Sequence, residues 1–166
     1  MHNTTLSSWK IETPLGAMQA IANEKALYRL EFVDCLSQTS ELPALKTAPI
    51  ASIEHELNLY FEKKLRHFST PLIFSGTPFQ NMVWRQLQTV AFGTTASYSD
   101  IATGIHRPTA CRALARANGK NPLLIIIPCH RIINHNGALG GYWAGLERKK
   151  WLLKHERIDW QNSGRI

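Results

Sequence analysis

Residues 123–133 read LLIIIPCHRII, an aliphatic run that stops at a thiol, an imidazole and a guanidinium before it resumes. Leu123–Ile127 have the composition of a short buried strand. Pro128 cannot donate a sheet hydrogen bond and commonly ends a strand, so the chain is predicted to turn there. In a straight strand Cys129 and His130 would point to opposite faces, and only a turn lets the imidazole serve the thiol. The stretch therefore predicts an active-site loop after a short strand.

Cys129 is a candidate nucleophile because a thiol next to a base can become a thiolate. A free cysteine has a pKa of roughly 8.5 and needs a base or a positive environment near neutral pH. His130 can be that base if an acid holds its tautomer, and Glu156 and Asp159 are the nearby acids. The alternative is that Cys129 is a small buried hydrophobic residue, and these few residues alone do not decide between the two.

Two short helices joined by a turn are predicted upstream of this loop. Ser97 or Ser99 caps the first, which ends at Gly104, and His106 and Arg107 turn the chain. Pro108 opens the second and Gly119 closes it. The pair resembles a helix-turn-helix unit.

The second of these helices has a small, smooth face. Ala110, Ala113 and Ala117 share one side of it with Leu114 nearby, while Arg112 and Arg116 lie four residues apart on another. The arginines favour a nucleic-acid surface, and the alternative is close packing of the alanines on a neighbouring helix.

Helices are also predicted before and after this region. Thr77 and Pro78 begin one that Gly93 ends, with a buried stripe of Phe79, Met82, Val83, Leu87 and Val90. The last helix runs from Leu146 to Glu156, with Leu146, Lys150 and Leu153 spaced along it. A loop rich in Asn and Gly occupies residues 134–141.

The N-terminal part of the chain reads as a sheet followed by one helix. Alternating stretches near Trp9–Thr13, Ala17–Ala22 and Ala26–Val33 predict an antiparallel meander. The helix is indicated by apolar residues at helical spacing, which are Ile50, Ile53, Leu57, Tyr60, Phe61 and Leu65. The fold class is therefore α+β, with a small sheet domain at 1–75 and a mainly helical domain at 76–166 that holds the helix-turn-helix and the active-site loop.

Charge and cysteine content restrict the function further. Residues 80–166 carry 12 Lys/Arg and 4 Asp/Glu, a net charge of +8, whereas residues 1–79 carry 7 and 8, a net charge of −1. The basic half favours a polyanionic partner, and a solvated basic surface is the alternative. The three cysteines are widely spaced and odd in number, which argues against a disulfide framework or a zinc site. No signal sequence or membrane span is recognisable, so we expect an intracellular protein.

The second half closely resembles the O6-alkylguanine-DNA alkyltransferase family, from about Thr77 to Glu156. The shared motifs are Ser97-Tyr98, Arg112, Asn121-Pro122, Pro128-Cys129-His130-Arg131, Gly141-Tyr142, and Trp151-Leu152-Leu153 followed by His155-Glu156. The TPLG stretch at residues 13–16 resembles the family's small sheet domain. The resemblance implies DNA repair by a single direct transfer of an alkyl group, chiefly methyl, to the protein's own cysteine. The alkyl group comes from O6 of guanine in duplex DNA, with O4 of thymine as a second candidate position.

The resemblance assigns catalytic roles to five residues. Cys129 accepts the alkyl group, His130 takes the thiol proton through a water, and Glu156 orients His130. Asn121 holds the turn that carries Cys129, and Tyr98 presses on the backbone phosphate beside the target nucleotide. Arg131 bridges loop segments.

The resemblance also implies a DNA surface and a pocket. Arg112 enters the base stack in place of the extruded nucleotide, which must leave the duplex before it can react. The predicted DNA-contacting residues are Tyr98, Ser99, Arg107, Ala110, Arg112, Ala113, Arg116 and Ala117. The predicted pocket residues are Asn121, Tyr142 and Trp143. Many family members carry small residues where this chain has Trp143, which either turns away from the pocket or narrows it.

The expected partner is double-stranded DNA that carries O6-alkylguanine. We expect a monomer with no cofactor, no metal and no membrane partner, in the cytoplasm or, in a eukaryote, the nucleus. A cysteine hydrolase is one rival interpretation, but no oxyanion hole or peptide cleft is recognisable. A non-catalytic reader of alkylated DNA or a helix-turn-helix regulator is the other, and the presence of Cys129 argues against it.

Overall fold

The computed structural model describes residues 5–38 and 40–160, which divide into two compact units at Ser75 and Gly76. The first unit contains β1 (Ser7–Ile11), β2 (Met18–Ala22), β3 (Leu27–Phe32) and α1 (Ala48–Phe61). The second contains α2 (Pro78–Leu87), β4 (Ala96–Ser97), α3 (Tyr98–Gly104), α4 (Cys111–Asn118), β5 (Ile132–Ile133) and α5 (Leu146–His155). The predicted α+β fold class is confirmed. No helix within the described ranges combines the length and apolarity that crossing a bilayer requires.

The sheet of the first unit is an antiparallel meander in the order β1-β2-β3. Two turns connect its three strands. Gly16 has a φ of 114° in the first turn, a conformation that glycine adopts without strain. In the second turn Asn23 Oδ1 accepts the backbone N–H groups of Lys25 and Ala26 at 2.7 and 2.8 Å. The three predicted strands are confirmed, with small shifts of their ends.

Helix α1 packs on the sheet through β2. Its buried apolar side chains are Ile50, Ile53, Leu57 and Tyr60, as predicted. The extension of this stripe to Leu65 is wrong, because the helix ends at Phe61 and Lys63 takes a left-handed φ of 62°. The chain reverses there, and the N–H of Leu65 donates back to the carbonyl of Leu59 at 3.2 Å.

A buried carboxylate ties the segment after α1 to the helix. Glu56 Oε1 accepts from the N–H of Ser69 at 2.7 Å, and Glu56 Oε2 accepts from the hydroxyl of Thr70 at 2.8 Å. Burial by itself raises the pKa of Glu56, but the hydrogen bonds from Ser69 and Thr70 outweigh it and hold that pKa below its ordinary value. The segment then pairs with β3, where Leu27 N donates to Pro71 O at 2.8 Å.

Helix α2 begins with the predicted cap. Thr77 Oγ1 accepts from Gln80 N at 3.2 Å, and Gln80 Oε1 accepts from Thr77 N at 2.9 Å, which is a capping box. The helix ends at Leu87, before the predicted stop at Gly93. Its buried face also includes Trp84, which the predicted stripe omitted, while Phe79 and Met82 are half-buried.

The helix-turn-helix forms from α3 and α4, and both pack against α2. Ser97 is the cap of α3, since its Oγ accepts from Asp100 N at 3.1 Å. The turn contains His106 with a left-handed φ of 57°. Helix α4 begins at Cys111 and not at Pro108, because the N–H of Ala110 bonds to the carbonyl of Arg107 at 2.9 Å and closes a turn there.

The predicted strand at Leu123–Ile127 is wrong, although all five residues are buried. Ile125 has a left-handed φ of 72°, and Ile127 N donates to Leu123 O at 3.0 Å, so the segment is a buried turn. The strand follows the cysteine instead of preceding it. It is β5, which pairs in parallel with β4.

Candidate active site at Cys129

Cys129, His130 and Arg131 form one turn of 3₁₀-helix. Cys129 N donates to Ile127 O at 2.8 Å, and Arg131 N donates to Pro128 O at 2.9 Å. With three residues per turn, successive side chains point about 120° apart. The thiol and the imidazole are therefore not on opposite faces, as they would be in a strand, and the predicted turn at this point is present.

The side chain of Asn121 ties this loop together. Its Nδ2 donates to Ile127 O at 2.8 Å and to Cys129 Sγ at 3.2 Å, while its Oδ1 accepts from Leu123 N at 2.9 Å. One buried amide therefore fixes the turn before the cysteine and also contacts the sulfur. A donor on the sulfur favours the thiolate over the thiol.

The thiol of Cys129 is buried, with 2% of the residue exposed. Burial raises its pKa to about 11, although the Asn121 hydrogen bond and the charge of Lys149 act in the opposite direction. Cys129 is therefore protonated at neutral pH in the unliganded protein, and it needs a base to become a nucleophile.

His130 is a neutral imidazole that can act as the base at this site. Its Nε2 lies 2.8 Å from Glu156 Oε1, and both side chains are fully buried. Burial lowers the pKa of His130, even though Glu156 acts to raise it, so the imidazole is neutral. An ionised carboxylate can only accept, so the ring proton lies on Nε2 and Nδ1 is the basic nitrogen. Nδ1 is buried and bonds to none of the described groups.

Glu156 is held as a carboxylate by two partners. Arg131 Nε donates to Oε2 at 2.8 Å and an Arg131 terminal nitrogen donates to Oε1 at 3.0 Å. Burial alone raises the pKa of Glu156, but the bonds and charges of His130 and Arg131 outweigh it, and the net shift is downward. Arg131 also donates to Val90 O at 2.7 Å, which links the loop to the segment after α2.

Lys149 is the residue that the sequence interpretation missed. It is fully buried on α5, and Nζ donates to Ile132 O at 2.6 Å, to Gly141 O at 3.2 Å and to Leu139 O. Burial lowers its pKa to about 8, and the nearby Cys129 acts in the opposite direction. The ammonium group therefore anchors both β5 and the loop before Tyr142.

A signal for Lys149 was present in the sequence. The buried face of α5 contains Lys149, Leu152 and Leu153, and Glu156 caps the helix. These residues follow the i, i+3, i+4, i+7 spacing of one helix face. Of the three residues noted as spaced along this helix, Leu153 lies on its buried face, whereas Leu146 is 45% exposed.

Tyr98, the first residue of α3, lies beside the thiol. Burial and the proximity of Cys129 raise the pKa of Tyr98, while a hydrogen bond from Asn118 opposes the shift. A β-carbon added at Gly140 would lie 3.6 Å from the Tyr98 hydroxyl, so the loop after β5 also closes on this side. Tyr142 is half-buried in that loop, and Trp143 is 47% exposed.

The residues predicted to contact DNA lie mostly on an exposed surface of the helix-turn-helix. The exposed members are Ser99, Arg107, Arg112, Ala113 and Arg116, and Ala110 is half-buried. Ala117 differs from these residues in its burial. Only 3% of it is exposed, and its carbonyl accepts from Trp84 Nε1 at 2.9 Å, so it packs towards α2. For Ala117, the structure therefore agrees with the alternative that the alanines pack on a neighbouring helix.

Comparisons with known proteins agree along both units. The family model of the 6-O-methylguanine DNA methyltransferase DNA-binding domain matches residues 78–158, and that of the ribonuclease-like domain of the same protein matches residues 8–74. A methylated-DNA–protein-cysteine methyltransferase of Methanosarcina barkeri is 40% identical, covering 88% of this chain and 94% of the relative. The constitutive one of Bacillus subtilis is 38% identical, covering 90% and 94%. A crystal structure of Mycobacterium tuberculosis OGT in complex with DNA superposes with a TM-score of 0.85 at 37% identity, covering 91% and 92%.

Proposed function

Because this chain belongs to the 6-O-methylguanine DNA methyltransferase family, which repairs DNA by transferring an alkyl group to a cysteine of the protein, we propose that Cys129 is the alkyl acceptor. One observation carries the assignment. Cys129 is the described cysteine whose sulfur accepts from a buried amide, that of Asn121, next to a neutral imidazole. Cys35 and Cys111 are half-buried residues outside this arrangement.

The thiol is activated by His130. The proton of Cys129 moves to Nδ1 of His130, through one water, and the resulting imidazolium is stabilised by the carboxylate of Glu156. The sulfur then attacks the alkyl carbon, so that an S–C bond forms and the C–O6 bond breaks. The electron pair of that bond stays on the guanine, which takes up one proton in exchange for the one the thiol lost.

The substrate is O6-alkylguanine extruded from duplex DNA. The net charge of +8 over residues 80–166 supports contact with phosphates, and the exposed Arg112 on α4 supports insertion into the base stack. Asn121 bonds to the sulfur of Cys129, and Tyr98 lies beside the same residue. Tyr142 and Trp143 lie in the loop after β5. We include all four among the residues that border the extruded base.

Repair by this route ends after one event. The product is a thioether, and the residues around Cys129 include nothing that cleaves a carbon–sulfur bond. The protein acts on DNA as a monomer in the cytoplasm, with residues 1–75 and 76–166 as its two domains. Analytical ultracentrifugation of the free protein tests whether it is a monomer.

The decisive experiment is mass spectrometry after incubation with duplex DNA that contains O6-methylguanine. One methyl group per molecule is expected, mapped to the peptide that contains Cys129. Cys129→Ser should gain none, whereas the matched variants Cys35→Ser and Cys111→Ser should react as the parent protein does. A methyl group on another cysteine, or more than one equivalent repaired per molecule, would contradict the proposal.

A further inference from the structure

The segment between α2 and β4 makes three contacts with the buried ion pair of Arg131 and Glu156. The carbonyl of Val90 accepts from Arg131 Nη1 at 2.7 Å. The centre of the Phe92 ring lies 5.7 Å from the guanidinium carbon of Arg131, which is a cation–π distance. The N–H of Gly93 points to Glu156 Oε2 across 3.5 Å. One short segment therefore contacts both members of the pair.

The conformation of Gly93 sets the direction of this N–H group. Its φ of 80° lies in the left-handed region, which glycine adopts without strain. A β-carbon added at Gly93 would lie 3.6 Å from the backbone carbonyl oxygen of Glu156, which is an ordinary contact distance. Space therefore permits a side chain at this position, and it is the backbone conformation directing the N–H group to Glu156 that favours glycine.

The carboxylate of Glu156 is shared between His130 and Arg131. Oε1 lies 2.8 Å from His130 Nε2 and accepts from Arg131 Nη2 at 3.0 Å, and Oε2 accepts from Arg131 Nε at 2.8 Å. A guanidinium is planar and its donors have fixed directions, so a small rotation of Arg131 changes its share of Oε1. The Val90 carbonyl and the Phe92 ring limit that rotation. They therefore influence how much of the carboxylate charge remains available to His130.

We propose that Phe92 and Gly93 are positioning residues for the proton transfer at the active site. They hold Arg131 and Glu156 in the arrangement that leaves Oε1 of the carboxylate to His130. The inference rests on the proposed function, in which the imidazole takes the thiol proton. When that proton arrives, the bond from Nε2 to Oε1 becomes a bond between two charged groups. A carboxylate that is already fixed in place stabilises the imidazolium without reorganisation during the reaction.

The alternative is that Phe92 only fills space. Phe92 is half-buried, and a side chain that only fills space could be replaced by leucine with a loss of stability alone. Arg131 is 6% exposed and Glu156 is 1% exposed, so the aromatic contact acts on a largely desolvated guanidinium. Such a contact is stronger than one at the surface. The two roles therefore make different predictions for the rate of methyl transfer.

Phe92→Leu should slow single-turnover methyl transfer from O6-methylguanine duplex DNA by about fivefold, because the guanidinium loses its aromatic neighbour. Phe92→Tyr keeps a ring face and should stay within about twofold of the parent rate. Reaction with free O6-benzylguanine should show the same pattern, because the ion pair acts on the chemical step and not on extrusion of the base. A parental rate in Phe92→Leu, equal slowing in Phe92→Tyr, or a loss confined to duplex DNA overturns the role of Phe92.

A double-mutant cycle tests whether Phe92 acts through Glu156. In a Glu156→Gln background, Phe92→Leu should cause no further loss, because the charge that Arg131 pairs with is absent. The same loss in both backgrounds overturns the proposal. Phe68→Leu is the matched control, because its ring lies 5.5 Å from that of Tyr60 in the first unit, and its removal should lower stability but leave the rate unchanged. If Phe92→Leu folds poorly, Phe92→Met is put through the same cycle.

Gly93→Ala and Gly93→Asn test the backbone contact. A left-handed φ is unfavourable for alanine, whereas asparagine adopts it more readily. Gly93→Ala should therefore slow transfer more than Gly93→Asn does, both with duplex DNA and with the free base. Equal rates in the two variants overturn the role of Gly93.

The same samples separate this inference from the proposed function. Each is digested, and the methylated peptide is identified. If the parent protein is not methylated on Cys129, the proposed function has failed. If Cys129 is methylated in every variant and Phe92→Leu reacts at the parental rate, only the positioning role has failed.

Discussion

Oε1 of Glu156 lies 2.8 Å from Nε2 of His130, and both side chains are fully buried. This contact leaves Nδ1 of His130 as the basic nitrogen. Burial lowers the pKa of His130 and raises the pKa of Cys129 to about 11, so both groups are neutral in the resting protein. In the proposed mechanism the thiolate and the imidazolium therefore form only during the reaction.

Glu156→Gln should slow methyl transfer by roughly tenfold to a hundredfold, the effect of losing one charged hydrogen bond to the imidazolium. A neutral amide stabilises the protonated His130 less than a carboxylate does. It also leaves Arg131 buried without its anion, so the free energy of unfolding should fall by about 3 kcal/mol or more. Single-turnover rates and denaturant titrations measure the two effects separately.

The control for this variant is Glu147→Gln on the same helix. Glu147 pairs with Lys150 at 2.8 Å on the exposed side of α5, with 88% of its side chain accessible. Its removal should change neither rate nor stability measurably. A parental transfer rate in Glu156→Gln would show that Glu156 supports the fold alone.

Much of the fold could be predicted because local signals agreed with the final contacts. The alternation of β1 to β3, the Thr77 cap and the Ser97 cap are local features, and each appears where it was expected. The strand at Leu123–Ile127 could not be corrected from the sequence. An apolar run indicates burial, but the left-handed φ of Ile125 depends on the bonds that Asn121 makes across the loop.

The candidate site shows the same division. Cys129, His130 and Glu156 were predicted from chemistry and family resemblance, and the structure brings them together. Lys149 was missed because a lysine in a helix is ordinarily assigned to the exposed face. Its burial depends on three carbonyl groups, from β5 and the loop after it, that only the folded chain brings together.

Lys149→Met should weaken both the loop and the reaction. The carbonyls of Ile132, Leu139 and Gly141 lose their shared donor, and we expect a loss of at least about 2 kcal/mol in the free energy of unfolding. The positive neighbour of Cys129 is also lost, so alkylation of the thiol by iodoacetamide should slow. Lys150→Met is the matched control, since that side chain is 44% accessible and pairs only with Glu147 among the described residues. Equal effects of the two variants would contradict an anchoring role.

Arg112→Ala should separate extrusion of the base from the chemical step. Arg112 is exposed on α4. Repair of O6-methylguanine in duplex DNA should fall at least tenfold, while reaction with free O6-benzylguanine should stay within about twofold, because a free base needs no extrusion. Arg85→Ala, on the exposed side of α2, should alter neither reaction. Equal losses with duplex and free base would show that Arg112 supports the fold or the thiol.

Glu56 should make the free energy of unfolding of the first unit depend on pH in the acidic range. Its pKa in the folded state is held below the ordinary 4.5 by the Ser69 and Thr70 bonds, which outweigh the effect of burial. A depressed carboxyl pKa contributes stability that is fully present above the unfolded value and is lost as pH falls through the folded value. Glu56→Gln should therefore destabilise the protein at pH 7 and differ less from the parent near pH 3. Denaturant titrations at both pH values measure this, with Glu54→Gln, the partner of Lys46, as control.

Trp143→Ala should change the preference for the size of the alkyl group. Trp143 follows Tyr142 in the loop that Lys149 anchors through Leu139 and Gly141, and about half of the residue is covered, since 47% is exposed. If the covered part borders the pocket, removing the indole opens far more space than a methyl group needs, so methyl transfer should change little. A benzyl group has to fit against the indole, so its transfer should accelerate.

The measurement is the second-order rate constant for methylated and benzylated guanine in duplex DNA, with both substrates tested on both proteins. Trp151→Ala is the control, because Trp151 stacks on His155 at 4.8 Å. A benzyl-to-methyl ratio that does not rise in Trp143→Ala, or that rises equally in Trp151→Ala, would show that the indole faces away from the pocket.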